Sequence, residues 1–121
     1  MITPNIEGSY RFNITAGIID IADVLKEILY DIDQEVDVGI ISAKFHNSIV
    51  NLVVNAAKSL RAQNGLNKVA LSGGVWQNLY LLKKTISSLR TEGFSVLYHH
   101  HVPANDGGIS LGQAAVLAMN N

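Results

Sequence analysis

The sequence predicts an α/β fold in which a short parallel sheet is covered by helices. Two apolar strand-like runs, Lys68 to Leu71 and Phe94 to Tyr98, flank a helical pattern from Val75 to Glu92. Glycines follow the elements, with Gly73-Gly74 after the first run and Gly93 after the helix. This order is typical of a right-handed βαβ unit with parallel strands. Because the first run does not alternate, we expect its strand to be covered on both faces.

The N-terminal half is predicted to contain one strand and two helices. Tyr10 to Ile14 alternates apolar and polar residues, as a half-buried strand does, and Gly17 interrupts the run. Asp20 can cap a helix that extends to about Ile32. A longer helix is predicted from about Val38 to Gln63. Its expected buried stripe consists of the apolar residues Ile41, Phe45, Ile49, Leu52, Val53, Ala56 and Leu60.

Composition limits the classes of protein to which the chain can belong. Its 121 residues are 48% hydrophobic and 16% charged, which suits one small domain or a piece of a larger one. The net charge of −1 and the scattered Lys and Arg residues argue against nucleic acid or membrane partners. The absence of cysteine excludes disulfides, Cys nucleophiles and Cys-based metal sites. Without an apolar run of about 20 residues or a signal peptide, a cytoplasmic protein is expected.

Two glycine-rich turns mark the predicted binding site. Ser72-Gly73-Gly74 follows the first strand and precedes a helix, so its backbone can approach a phosphate or another anion. Asn105-Asp-Gly-Gly108 is a similar turn after the next strand. Ligands of parallel sheets bind at the carboxyl ends of the strands, so we expect both turns to face one cleft.

Three side chains in these turns could contact a ligand, and each also has a structural interpretation. Asp106 could hold a metal ion or could cap the last helix. Asn78, one helical turn after the glycine pair, could bind an adenine edge or a ribose hydroxyl, or it could be a surface residue. Ser72 could donate to a phosphate or could simply begin the turn.

The histidines do not indicate a metal site. His99-His100-His101 ends a predicted strand, where adjacent side chains point in alternate directions, so all three cannot converge on one ion without a sharp bend, although one of them could reach the cleft. His46 lies in the long helix, and position 50, one turn later, is Val rather than a second ligand. Loop, surface or packing roles are the expected ones.

The combined motifs resemble the C-terminal end of the HypF carbamoyltransferase family, which helps to mature nickel–iron hydrogenases. They are Leu71-Ser-Gly-Gly-Val-Trp-Gln-Asn78, Gly93-Phe94 and Val102-Pro-Ala-Asn-Asp-Gly-Gly-Ile-Ser-Leu-Gly-Gln113. Ala43-Lys-Phe-His-Asn47 also fits the family's pattern, and the resemblance covers about Ile41 to Ala118. It implies a partial actin-like, sugar-kinase-like (ribonuclease H-like) nucleotide-binding lobe.

The resemblance also implies an activity and a set of site residues. The family uses carbamoyl phosphate and ATP to make carbamoyl adenylate. It then passes the carbamoyl group to the C-terminal cysteine of the partner HypE, which leads to the cyanide ligand of the hydrogenase iron. By this resemblance Ser72, Gly73, Gly74 and Asn78 contact the nucleotide, and Asp106 is a ligand of a divalent metal.

Parts of the family pattern are missing from the chain. It has no His-x-x-x-His pair for the metal, and no acylphosphatase, zinc-finger-like or YrdC-like domain. We therefore expect the C-terminal part of a catalytic domain whose other parts belong to the rest of a HypF chain. Such a fragment should be inactive alone, and an apolar face exposed on it should favour self-association.

Two other classes remain open from the sequence. One is a related enzyme lobe, namely a threonylcarbamoyl or O-carbamoyl transferase or a sugar kinase. The other is an interaction module without catalytic activity. The run Asn-Asp-Gly-Gly-Ile-Ser-Leu-Gly-Gln favours HypF over these.

Overall fold

A computed structural model describes residues 5–98 together with residues 116, 117 and 119. The chain divides into two compact units, Met1–Ala56 and Ala57–Asn121, which are called unit 1 and unit 2 below. The described elements are β1 (Asn13–Thr15), β2 (Ile18–Asp20), α1 (Ala22–Asp33), α2 (Val38–Asn64), β3 (Lys68–Leu71), a 3₁₀ turn (Gly74–Gln77), α3 (Leu79–Thr91) and β4 (Ser95–Tyr98). This mixed architecture with a small parallel sheet confirms the predicted α/β class.

A β-hairpin with a two-residue turn occupies the region where one strand was predicted. β1 and β2 pair antiparallel, with Thr15 opposite Ile18. The residues between them, Ala16 and Gly17, have φ of 51° and 78°. Positive φ at both positions is the geometry of a type I′ turn, which suits the twist of a hairpin. The predicted strand over Tyr10 to Ile14 was therefore placed too early, and β2 was not predicted.

The buried face of α2 differs from the predicted apolar stripe. None of the stripe residues is fully buried, and Phe45 and Leu60 are 40% and 55% exposed. The buried positions instead carry small, polar and β-branched residues, namely Gly39, Ala43, Asn47, Ser48, Val50 and Val54. The prediction was wrong because the packing partner decides the face. Extended backbone at residues 6–10 hydrogen-bonds to polar side chains of α2.

A buried tyrosine joins this extended segment to both helices of unit 1. The Tyr10 side chain is 2% exposed, and its backbone N–H donates to Ser48 Oγ at 2.6 Å. Its hydroxyl donates to Asp31 Oδ2 at 2.7 Å, and Lys44 Nζ lies 2.5 Å from the same oxygen. Lys44 Nζ also stands 4.5 Å from the centroid of the Tyr10 ring. One carboxylate thus connects α1, α2 and the N-terminal segment.

This cluster predicts a pH dependence of stability in acid. Hydrogen bonds from Lys44 and then from Tyr10 lower the pKa of Asp31 below its ordinary value. A carboxylate with a lowered folded pKa stabilises the fold above its unfolded pKa of about 3.9, and this contribution is lost as pH falls through the folded pKa. We therefore expect the stability deficit of Asp31→Asn, measured by urea unfolding, to be present at neutral pH and to shrink below about pH 4.

A second variant provides the control for this prediction. Lys44→Met removes the hydrogen bond from Lys44 to Asp31 and keeps the one from Tyr10. The stability of this variant should therefore fall less between neutral and acid pH than the stability of the wild type. If wild type, Asp31→Asn and Lys44→Met give parallel stability curves between neutral and acid pH, the assigned role of Asp31 is wrong.

Unit 2 contains the predicted βαβ arrangement. β3 and β4 run parallel, with Lys68 opposite Ser95 and Leu71 opposite Tyr98. Between them α3 buries Leu81, Thr85, Ile86 and Leu89. In the described part of the chain the sheet has these two strands, and in β3 only Leu71 is buried while Ala70 is exposed. The expectation that β3 is covered on both faces was therefore wrong for the described residues.

Candidate glycine-turn site

The glycine turn lies where the sequence predicted it, at the carboxyl end of a parallel strand. β3 ends at Leu71, and Ser72 and Gly73 lead into the 3₁₀ turn. Gly73 has φ 114° and ψ 162°, a conformation that side chains oppose and that glycine adopts freely. The Trp76 N–H donates to the Gly73 carbonyl oxygen at 3.2 Å, which closes the turn. The local sequence thus folds into a tight backbone turn at the end of the sheet where ligands bind.

The two glycines of this turn have different requirements. An added Cβ would meet no heavy atom of the described residues within 4 Å at either position, so these residues leave the space in front of the turn open. Gly73 nevertheless needs glycine, because its φ of 114° strains any other residue. Gly74 has no such φ, and its backbone would accept a side chain. A requirement for glycine at Gly74 would therefore come from a ligand rather than from the fold.

Asn78 has a different setting from the one predicted. The helix expected from Val75 to Glu92 is interrupted at Asn78, whose ψ of 101° is extended, and α3 begins at Leu79. The Asn78 Oδ1 atom accepts from the Leu81 N–H at 3.1 Å, so the side chain caps α3. Asn is among the residues preferred at this position because its oxygen satisfies a free N–H of the first turn.

The remaining predicted residues fall into two groups. Ser72, Gly73, Gly74 and Asn78 are brought together in one short turn, and Ser72 is exposed. Asp106, the turn Asn105–Gly108 and the run His99–His101 lie outside the described residues. The predicted cleft between the two glycine-rich turns and the role of Asp106 as a metal ligand therefore remain predictions.

His46 has a local role in α2. Its Nδ1 atom lies 2.7 Å from the Ser42 carbonyl oxygen, one turn earlier, so Nδ1 carries the proton of this hydrogen bond. The ring also makes an edge contact with Phe45, with centroids 6.4 Å apart. Among residues 5–98, 116, 117 and 119, no three His, Asp or Glu side chains come close enough to hold a metal ion.

A cavity in unit 1 was not anticipated from the sequence. It has a volume of about 280 Å³ and lies beside the segment 9–14 and one face of α2. Its lining residues are Ser9, Tyr10, Arg11, Phe12, Ile14, Ser48, Asn51, Leu52 and Asn55. The only signal in the sequence is the spacing of Asn51 and Asn55, which puts two carboxamides on one face of a helix.

Comparison with known proteins identifies the family. Residues 2–113 match the family model of the second subdomain of the Kae1-like domain of carbamoyltransferases. The carbamoyltransferase HypF of Synechocystis sp. is 50% identical over 75 residues, which are 62% of this chain and 9% of that protein. The Cupriavidus necator HypF homolog is 31% identical over 117 residues, 95% of this chain and 29% of that protein.

Solved structures agree with this assignment. A crystal structure of full-length HypF in its phosphate- and nucleotide-bound form has a TM-score of 0.87 and 42% identity, over 91% of this chain and 15% of that one. The HypF of T. kodakarensis has a TM-score of 0.75 at 23% identity and supports the fold alone.

The chain is much shorter than the relatives that it matches. The chain spans less than a third of each of the two relatives described above. In the described part of the chain, none of the helices combines the length and the apolar character of a membrane span. Because the family model matches nearly the whole length of this chain, the chain belongs to the HypF carbamoyltransferase family.

Proposed function

We propose that this chain forms one wall of the nucleotide site of a HypF-type carbamoyltransferase. The observation that carries the proposal is the open glycine turn, Ser72 to Gly74, at the carboxyl end of β3. The similarity to a HypF that was crystallised with phosphate and nucleotide supports it. Family membership favours this function over a sugar kinase, a threonylcarbamoyl transferase or an interaction module without catalysis.

In this proposal the turn holds the nucleotide through its backbone. Gly73 and Gly74 let the chain approach the phosphates closely, since neither position has a side chain in the way. Ser72 is exposed beside them and its hydroxyl can donate to a phosphate oxygen. Asn78 caps α3 through Oδ1, so in this proposal it holds the start of the helix in position beside the nucleotide.

The proposed reaction is the ATP-dependent transfer of a carbamoyl group. In this proposal carbamoyl phosphate is hydrolysed with release of phosphate, and the carbamate reacts with ATP to give carbamoyl adenylate and pyrophosphate. The C-terminal cysteine thiol of HypE then takes the carbamoyl group and AMP leaves, which serves hydrogenase maturation. Asp106 would be one ligand of a divalent metal, and the metal would polarise the carbamoyl group when bound. We propose that the other ligands come from the rest of a HypF chain, because one carboxylate does not hold a metal firmly.

Large apolar side chains are exposed on this chain, and their exposure supports the proposal that another part of the protein packs against them. Ile18, Leu29 and Leu66 are 71%, 64% and 66% exposed, which is high for large aliphatic residues. We propose that the rest of a HypF chain covers part of the apolar surface of each unit. The 121 residues alone are then expected to bind ATP weakly, to lack transferase activity and to self-associate at high concentration.

The Gly74→Ala variant tests the nucleotide proposal. Its backbone accepts alanine, so thermal unfolding should be unchanged, while the new methyl group occupies the space that the nucleotide needs. We expect ATP affinity to fall about tenfold, which corresponds to a loss of about 1.4 kcal/mol. Trp76, the single tryptophan, lies in the same turn, so its fluorescence can follow the titration.

Two further variants complete this experiment. Gln77→Ala changes an exposed side chain of the same turn and should leave ATP affinity unchanged. Gly73→Ala should lower stability by about 1–3 kcal/mol through backbone strain. Wild-type ATP affinity in Gly74→Ala, together with wild-type carbamoyl transfer by a full-length HypF carrying this change, would overturn the proposal.

A further inference from the structure

The cavity in unit 1 has the features of a small-ligand pocket. Its volume of about 280 Å³ lies just below the usual range for such pockets, roughly 300–1,000 Å³, so a ligand would have to be small. Phe12, Ile14 and Leu52 provide an apolar part of the lining. Ser9, Asn51 and Asn55 provide a polar part. The lining therefore combines polar and apolar groups in similar shares, and the polar groups can orient a small molecule that the apolar groups enclose.

The charge of Arg11 is the decisive feature of this pocket. Unit 1 contains eight acidic residues and only three basic ones. Lys26 pairs with Asp23 and Lys44 pairs with Asp31. Arg11 makes no ion pair with the described residues, and no acidic residue lines the pocket that it borders. In a unit with an excess of carboxylates, a guanidinium beside a pocket without them is available for an anion from outside.

The carboxamides beside Arg11 fit the same kind of ligand. Asn55 makes no hydrogen bond among the described residues, so its amide can donate to or accept from a bound molecule. Asn51 Nδ2 donates to Ser9 Oγ at 3.2 Å, which joins the two walls of the pocket. Neutral amides add directed hydrogen bonds without a competing charge.

Hydrogen bonds between α2 and the segment at residues 6–10 hold the walls of the pocket in position. Ser48 accepts the backbone N–H of Tyr10 and donates to the Lys44 carbonyl oxygen at 2.6 Å. Asn47 Nδ2 donates to the carbonyl oxygens of Ile6 and Gly8 at 3.0 and 2.8 Å. Because the segment that carries Arg11 is fixed against α2, a ligand would not have to order it on binding, and this reduces the entropic cost.

From the unpaired guanidinium and the adjacent amides, we propose that this pocket binds a small oxyanion, a carboxylate or a phosphate. The planar fork of Arg11 matches two oxygens of either group. Asn55 hydrogen-bonds a further oxygen or a polar substituent, and Phe12, Ile14 and Leu52 accommodate a short carbon chain. The site lies in unit 1 and does not depend on the nucleotide proposal for unit 2.

Calorimetric titration of the 121-residue chain tests the site. Sodium phosphate and sodium propionate are the probes, each compared with sodium chloride at equal ionic strength. We expect at least one of them to saturate, with a dissociation constant on the order of 1 mM. Saturation by phosphate alone would identify a tetrahedral anion as the ligand, and saturation by propionate alone would identify a carboxylate with a carbon chain.

Three variants assign the binding to this pocket. Arg11→Gln should weaken binding about tenfold or more, since a charge-assisted hydrogen-bond pair is lost. Asn55→Asp, at an exposed position of α2, should abolish binding by like-charge repulsion and should keep the wild-type unfolding midpoint. Lys26→Gln removes a different cation of unit 1 and should bind as the wild type does. The proposal is overturned if neither probe saturates, if Asn55→Asp binds normally, or if Lys26→Gln weakens binding as much as Arg11→Gln.

Discussion

Replacing Asn47 with alanine is expected to destabilise unit 1 by about 2–3 kcal/mol, because two backbone carbonyl oxygens lose their partner. The Asn47 side chain is 8% exposed and donates to the carbonyl oxygens of Ile6 and Gly8. A single amide thus holds two points of an extended segment that has no strand partner there. Urea unfolding measures the loss, and hydrogen exchange at the Tyr10 amide should become faster as the segment is released.

The matched control is Asn51→Ala, one turn later on the same helix. Asn51 makes one exposed hydrogen bond, to Ser9 Oγ at 3.2 Å. Both substitutions gain the same helix propensity, so the difference between the two variants reports how much more the two part-buried contacts of Asn47 contribute than the exposed contact of Asn51. We expect Asn51→Ala to lie within about 0.5 kcal/mol of the wild type. Equal losses in the two variants would show that the Asn47 amide does not anchor the segment.

The second large effect is expected at Arg61, which contacts the C-terminal end of α3. Its Nη1 atom donates to the Glu92 carbonyl oxygen at 2.7 Å. Its guanidinium carbon lies 4.1 Å from the centroid of the Phe94 ring, and that ring is buried. A cation at this helix end also favours the local dipole. We expect Arg61→Ala to destabilise unit 2 by about 1–2 kcal/mol, measured by urea unfolding.

A variant of Lys58, one turn earlier, distinguishes the effect of the Arg61 contacts from the effect of positive charge at this helix end. Its Nζ atom lies 3.4 Å from Glu92 Oε2, and the two side chains are 46% and 39% exposed. Exposed pairs of this kind contribute little, so Lys58→Ala should cost no more than about 0.5 kcal/mol. Arg61→Lys should fall between wild type and Arg61→Ala, because it keeps the charge and loses the planar fork. If Lys58→Ala costs as much as Arg61→Ala, net charge rather than the stacked contact is responsible.

Most of the secondary structure could be predicted because its signals are local. The bounds of α1 and α2 follow from apolar spacing and from the residues at their ends, and glycines separate β3, α3 and β4. The parallel pairing follows from the length of the connection, since parallel strands need a long crossover. β2 was missed because Ile18-Ile-Asp20 does not alternate clearly and immediately precedes a helix.

Features that depend on a tertiary partner could not be predicted. The buried face of α2 was predicted from the helical spacing of its apolar residues, whereas burial is decided by the hydrogen bonds that the segment at residues 6–10 makes with the helix. The break at Asn78 was missed because asparagine is tolerated within helices as well as preferred at their start. The sequence gives no sign that Arg11 matters. Its importance follows from the structure, in which Lys26 and Lys44 form ion pairs and Arg11 forms none with the described residues.

The glycine turn was predicted correctly in position and incompletely in form. The strand end and the need for glycine at Gly73 follow from the sequence, and the structure adds the 3₁₀ turn between Gly74 and Gln77. The distinction between Gly73, which the backbone requires, and Gly74, which it does not, needed the dihedral angles. That distinction makes Gly74 the informative position for a ligand.

The unusual burial pattern of α2 has a consequence for protein engineering. When a helix is redesigned for solubility, its large apolar residues are usually assumed to face the core and are kept, whereas its small residues are assumed to tolerate replacement. In α2 that guidance is reversed, because Ala43 is 0% exposed and Phe45 and Leu60 are 40% and 55% exposed. Enlarging Ala43 would overpack the segment against it, whereas Glu or Lys at Phe45 and Leu60 would leave the buried line intact. Redesign of this chain for solution work should therefore preserve its small residues and begin with its largest.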